Sequence, residues 1–163
     1  MEERAVIKNA VIKNKVLFVC VHNSARSQMA EELLRKIAGD RFEVESAGLE
    51  PGTLNPHVVT VLKEEGIDIS GKKTVSAFDL LKQGRFYTYV ITVCDETSAE
   101  TCPIFPGCKE KFHWSFPDPS AFTGSDEEKI EKIRAVKERI KEKIIDWVVS
   151  IERKNEKDKL KAV

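Results

Sequence analysis

Cys20 ends a short apolar run, Val16-Leu-Phe-Val, and Arg26 and Ser27 follow it after five intervening residues, at the start of a helix-forming segment. A cysteine delivered by a strand into a loop that closes on a helix N-terminus is equipped for oxyanion chemistry. Successive backbone N–H groups can turn inward there, the helix dipole favours negative charge, and the guanidinium of Arg26 offers a planar fork. The same field favours the thiolate form of Cys20, which is the nucleophilic form. Val21, His22, Asn23, Ser24 and Ala25 would then line the substrate with Arg26, and Asn23 tolerates the left-handed backbone that a wrapping loop needs. Ser27 can donate a hydrogen bond to the sulfur anion. A cysteine at a buried strand end is more often a small core hydrophobe. The polar loop and the helix after it argue for chemistry here.

Three further cysteines lie downstream. Cys94 ends the run Thr88-Tyr-Val-Ile-Thr-Val, Cys102 comes eight positions later and Cys108 six beyond that. Thiol exchange needs an attacking thiolate, a sulfur to attack and room to approach. Were 95–102 a regular helix, Cys94 and Cys102 would stand roughly 12 Å apart along its axis. A disulfide needs Cα atoms within about 7 Å. Pairing of these two therefore requires the polar stretch Asp95-Glu-Thr-Ser-Ala-Glu-Thr101 to be irregular or to rearrange. Asp118 sits between Pro117 and Pro119, a turn composition that also holds a carboxylate in place. Transfer of an oxyanion centre to a thiol expels oxide, which needs a proton donor.

The elements that must position these groups are legible in the pattern. Strands are expected over 16–20, 42–47, 88–94 and 111–116. Helices are expected over 26–38, from Asn55-Pro56 to Gly66, over 76–82, and from a capping box at Ser125 and Glu128 onward. The last helix carries Ile130, Ile133, Val136, Ile140, Ile144, Trp147, Val148 and Ile151 on one stripe. Strands alternating with helices imply an α/β fold: one three-layer domain, a four-stranded parallel sheet with helices on both faces and flavodoxin-like winding. Ligands bind at the carboxyl ends of such strands, beside a switch in strand order, and Cys20 and Cys94 both fall at such ends. The catalytic domain is expected over 16–151. Residues 1–15, with a tandem Ala-Val-Ile-Lys-Asn, would be a tail or edge extension, and 152–163 a charged, frayed tail.

The chain has 163 residues, enough for one domain, and its 27 Lys and Arg balance 27 Asp and Glu. That neutrality argues against nucleic acid or an anionic membrane as partner. No apolar run reaches the length of a transmembrane span, and the N-terminus is too charged for a secretory signal. The four cysteines do not make a secreted disulfide framework. A cytoplasmic protein with resting thiols is expected. The charged third of the chain is compatible with a thermophilic source.

Cys20-x-x-Asn-Ser-x-Arg-Ser-Gln-Met-Ala-Glu31 resembles the anion loop of the low-molecular-weight phosphotyrosine protein phosphatase superfamily, and within it the thioredoxin-coupled arsenate reductases. The likeness continues through Ser46-Ala-Gly48, Asn55-Pro56, Ile67-Asp-Ile-Ser70, Val93-Cys94, Cys102-Pro-Ile104, His113-Trp114 and Asp118-Pro119. The resemblance implies arsenate as substrate, with phosphate or sulfate as competing oxyanions, and a role in arsenic detoxification. It implies that Cys20 attacks arsenic, Arg26 and the loop hold the oxygens, Ser27 stabilises the thiolate and Asp118 protonates the leaving hydroxide. Cys94 and then Cys102 would carry the resulting disulfide to thioredoxin or a similar dithiol reductant, with no bound cofactor. It also implies a potassium candidate at Asn23, Glu31 and Ser46. Three features depart from the pattern: the Cys94–Cys102 spacing is one residue longer, Cys108 is extra, and Ala25 stands where many relatives have cysteine.

The nearest rival is a phosphatase for phosphotyrosine or small phosphomonoesters, which needs the loop and the acid but no second cysteine. Such enzymes place aromatic rings beside the acid, whereas Asp118-Pro-Ser-Ala has none. A non-catalytic redox sensor would predict no turnover with arsenate plus reductant.

Overall fold

The computed structural model describes residues 12–95 and 100–162. Four parallel strands form the sheet: β1 (Asn14–Cys20), β2 (Phe42–Gly48), β3 (Tyr89–Thr92) and β4 (Glu110–His113), in the order β2-β1-β3-β4. Cys20 pairs with Gly48 at one edge of β1, and Val19 with Thr92 at the other. β1 is thus the point where the strand order reverses, and Cys20 is its last residue.

The two-residue period of β1 divides the core. Val16, Phe18 and Cys20 face a cluster built with α1 (Arg26–Ala38), α2 (Pro56–Glu64) and α4 (Asp126–Lys161). Leu17 and Val19 face a second cluster under α3 (Ala77–Lys82), with Tyr87, Val90, Cys102 and Phe105. Three layers result, as the alternation of strands and helices implies. Trp147 of α4 fastens the first face, with its ring centroid 5.2 Å from Phe42 and 5.3 Å from Tyr89.

Several boundaries differ from expectation. β3 and β4 are shorter than 88–94 and 111–116, because the polar and proline-bearing segments beyond them leave the ladder. β1 begins at Asn14, so Asn14 and Lys15 are sheet residues paired with Phe42 and Glu43. The largest correction concerns 152–163. α4 runs unbroken for 36 residues to Lys161, where a frayed tail was expected beyond 151. No Gly or Pro interrupts this segment, and its Lys/Glu-rich sequence favours helix. Ile151 is still buried, and Glu152 and Lys154 pair with Arg41 and Glu110 of the body. Residues 96–99 lie outside the described residues, and with them the expected rearrangement of 95–102; so do residues 1–11. Among the described residues no helix is long and apolar enough to cross a membrane.

Candidate active site

The loop Val21–Ala25 joins β1 to α1, and its backbone carbonyls are turned outward. The carbonyls of Cys20, Val21, His22 and Ser24 accept from Leu49, Glu50, Gly52 and Asn55 N–H at 2.7 to 3.0 Å. Asn23 O accepts from Gln28 Nε2 at 3.0 Å. With the carbonyls committed outward, the amides are left to face inward. Asn23 supplies the bend at φ 54°, the one non-glycine residue with positive φ among those described. No side chain caps α1 and its first turn carries no acid, so its N-terminal donors remain available to a ligand.

Close approach of β2 makes this possible. A Cβ on Gly48 would stand 2.8 Å from Asn23 N and from the carbonyl carbon of His22. Only glycine lets the strand end pass under the loop. The Ser46-Ala-Gly48 run is visible in the sequence, but this close approach is not, because the loop it passes is brought there only by folding.

Cys20 is buried and its sulfur is solvated by protein. Asn23 N donates to Sγ at 3.1 Å, and Ser27 Oγ lies 2.8 Å away. Asn23 Nδ2 donates to Ser27 Oγ at 2.8 Å, which leaves the serine hydrogen to point at the sulfur. The same Nδ2 donates to Ser46 Oγ at 2.9 Å, and Ser46 donates to Glu31 Oε1 at 2.6 Å. Glu31 Oε2 takes Arg35 Nη2 at 2.7 Å and the ammonium of Lys72. A directional chain therefore runs from two cations through a buried carboxylate, a hydroxyl and an amide to the Cys20 sulfur. Lys72, far along the sequence, gave no signal of this position.

The potassium candidate does not survive this geometry. Asn23 presents its nitrogen to Ser46, Ser46 gives its hydrogen to Glu31, and Lys72 already places a cation on Glu31. Hard cations need several free oxygens converging. Asn23, Glu31 and Ser46 do meet, but as a hydrogen-bonded chain with its positive charge built in.

Arg26 is buried at the loop mouth and ties it to the acid loop. Its Nη1 donates to Phe116 O at 3.2 Å, and its Nη2 is 3.6 Å from Asp118 Oδ2. Asp118 Oδ1 accepts from Ser120 N at 3.0 Å, capping the short 3-10 turn Pro119–Ala121. The turn and the acid are one device: the cap fixes the carboxylate and leaves its other oxygen toward the guanidinium. The side chain is half-exposed. Val21 and Ser24 are half-buried, Ala25 is buried, and His22 is exposed with Nδ1 2.9 Å from Glu50 O.

The four thiols divide between the faces of the sheet. Cys94 joins the cluster of Cys20, placed by Val93 N donating to Val19 O at 2.8 Å. Burial pushes the Cys94 thiol up to about 11, and the neighbouring Cys20 adds to this against a smaller opposing effect of Arg26. Cys102 and Cys108 pack on the opposite cluster, and burial raises Cys102 as well.

The family model described as low molecular weight phosphotyrosine protein phosphatase matches residues 15–157. An arsenate reductase of Halalkalibacterium halodurans is 42% identical over 134 residues, covering 81% of this chain and 93% of its own. The solved structure of an arsenate reductase in the phosphate binding state superposes with a TM-score of 0.69 at 28% identity, over 85% of this chain and 98% of that one. The thioredoxin-dependent arsenate reductase of Corynebacterium glutamicum has a TM-score of 0.56 at 32% identity, over 86% of this chain and 65% of that one. This chain belongs to the low molecular weight phosphotyrosine protein phosphatase family.

Proposed function

We propose that the protein is an arsenate reductase that converts arsenate to arsenite on Cys20 and passes the oxidation along its cysteines. The observation that carries this reading is the second sulfur: Cys94 is buried in the same cluster as Cys20, at the adjacent strand end. A phosphatase has no use for it.

In the first step the Cys20 thiolate attacks arsenic, and a hydroxide leaves as water with the proton of Asp118. Arg26 and the inward amides of the loop hold the remaining oxygens. Cys94 then loses its proton and attacks Cys20 Sγ. The sulfur–arsenic bond breaks with its electron pair left on arsenic, so arsenic is reduced to arsenite as the Cys20–Cys94 disulfide forms. Cys102 attacks Cys94 Sγ and frees the Cys20 thiolate. A dithiol protein of the thioredoxin kind reduces the Cys94–Cys102 bond, a reading supported by the relative named as a thioredoxin-dependent arsenate reductase. The relative described as an arsenate reductase in the phosphate binding state supports phosphate as a competing oxyanion. The first step is shared with phosphomonoester cleavage, so slow phosphatase activity accompanies the reductase.

Arsenate-dependent oxidation of NADPH in the presence of thioredoxin and thioredoxin reductase tests the reading. Turnover is expected, and silence beside a working control enzyme would return the chain to the phosphatases. Asp118→Asn is expected to slow formation of the arsenic adduct by about 10²–10³, the lower part of the range for a lost general acid. Rapid-quench single-turnover rates read this directly. An unchanged rate removes Asp118 from the chemistry and leaves it a cap for the 3-10 turn.

A further inference from the structure

Cys108 takes part in no step above, yet it is placed beside one that does. Five residues separate it from Cys102, and both thiols lie on the α3 face, packed on one apolar cluster with Phe105, Tyr87 and Val90. The chain between them folds back on itself. Cys108 N–H donates to Phe105 O at 3.3 Å, and Gly107 takes φ 80°, which glycine adopts without strain. Phe105 opens this turn, and its ring stands edge-on to Tyr87 at 5.3 Å. Burial holds the Cys102 thiol above its ordinary range, Lys111 offsets part of that, and Cys108 adds to it.

Cys108 is also the more open of the pair. It is half-buried in the wall of a cleft of about 190 Å³ shared with Pro103, Ile104 and Phe105. Ile104 is 85% exposed, and Phe86, 65% exposed, lies against Gly107. Cys108 Sγ donates to Glu110 O at 3.2 Å, and a half-buried cysteine with an apolar rim suits attack by a protein dithiol that must seat its own surface around the reacting bond.

We propose that Cys108 is a fourth relay thiol, which attacks Cys102 Sγ of the Cys94–Cys102 disulfide, forms Cys102–Cys108, releases the Cys94 thiolate and presents the new disulfide to the reductant at this cleft. The proposal rests on the reductase reading. One sulfur–sulfur bond forms as one breaks, so no oxidant or reductant is consumed in the exchange. The proton given up by Cys108 is matched by the one Cys94 regains on returning to its buried place, where the thiol form is favoured. Cys20 and Cys94 are thereby restored before any external reductant arrives.

Electron counting makes this measurable. Arsenate to arsenite takes two electrons, the yield of one disulfide, and the chain holds four cysteines. Fully reduced protein is mixed with arsenate and no reductant, arsenite is counted, and the cysteines are mapped by alkylation and peptide mass. At one equivalent, the wild-type chain is expected to carry Cys102–Cys108 with Cys20 and Cys94 alkylated. With excess arsenate it should release about two arsenites per chain, and Cys108→Ser about one. One arsenite from both proteins, with Cys94–Cys102 as the wild-type disulfide, overturns the proposal and leaves the reductase reading standing. No arsenite from either overturns the reading itself, and the proposal with it.

Discussion

Cys20→Ser is expected to lose arsenate reduction and phosphomonoester cleavage together, by about six orders of magnitude and so to the buffer rate. Serine fits the position: its oxygen can keep the contacts of Asn23 N and Ser27 Oγ, which stand 3.1 and 2.8 Å from the sulfur. What it cannot do is ionise. In the proposed mechanism the loop amides, the uncapped helix and Arg26 stabilise an anion, and the attacking species is the sulfur thiolate, which a serine hydroxyl does not replace. The variant should therefore still bind phosphate and arsenate within a few-fold of wild type, because none of the donors to the oxyanion has been touched. Calorimetric phosphate binding, single-turnover arsenite release and p-nitrophenyl phosphate hydrolysis measure the three quantities. Lost chemistry with retained binding fits the assigned role, whereas arsenite release above the buffer rate would remove Cys20 from the reaction.

Such a division between binding and bond-making was partly readable in the chain. α1 runs from Arg26 to Ala38 as its pattern requires, because Met29, Ala30, Leu33 and Leu34 repeat at helical spacing and Gly39 follows. The left-handed bend at Asn23 was likewise foreseeable, since few residue types accept it. Local chemistry announces local geometry. The chain from Lys72 and Arg35 through Glu31, Ser46 and Asn23 did not announce itself, because its members come from α1, β2, the loop after β1 and the segment before α3. Only folding brings them together. The same holds for Gly48, whose importance lies in what passes 2.8 Å from its absent side chain. The length of α4 was missed for a different reason. Charge density reads as solvation in sequence, but ion pairs from Glu152 and Lys154 to the body hold the extension in place. The assignment of Cys102 and Cys108 to the face opposite Cys20 also depended on the sheet, since a loop's side cannot be read from its spacing.

Cys94→Ser separates the two activities that Cys20→Ser loses together. Among the described residues the donors around the Cys20 sulfur are Asn23 N and Ser27, not Cys94, so adduct formation and p-nitrophenyl phosphate hydrolysis are expected to stay within about threefold of wild type. Arsenite release has no such alternative, because reduction needs a second sulfur to take the place of arsenic on Cys20. Multi-turnover reduction with thioredoxin should fall to the buffer rate, and mass spectrometry of quenched samples should find the arsenic still attached to Cys20. The wild type carries a matching pH signature. Burial pushes Cys94 up to about 11, so at neutral pH it waits as a thiol and its reactive fraction grows as pH rises. Arsenite release should then increase by up to about tenfold per pH unit where this step limits, as the thiolate fraction does well below its pKa. Ester cleavage, which never uses Cys94, should lack that slope. Full arsenate turnover by Cys94→Ser would instead assign the second sulfur to Cys108 or to an external thiol. A steep slope shared by both reactions would place the titrating group in the first step, where Cys94 has no part.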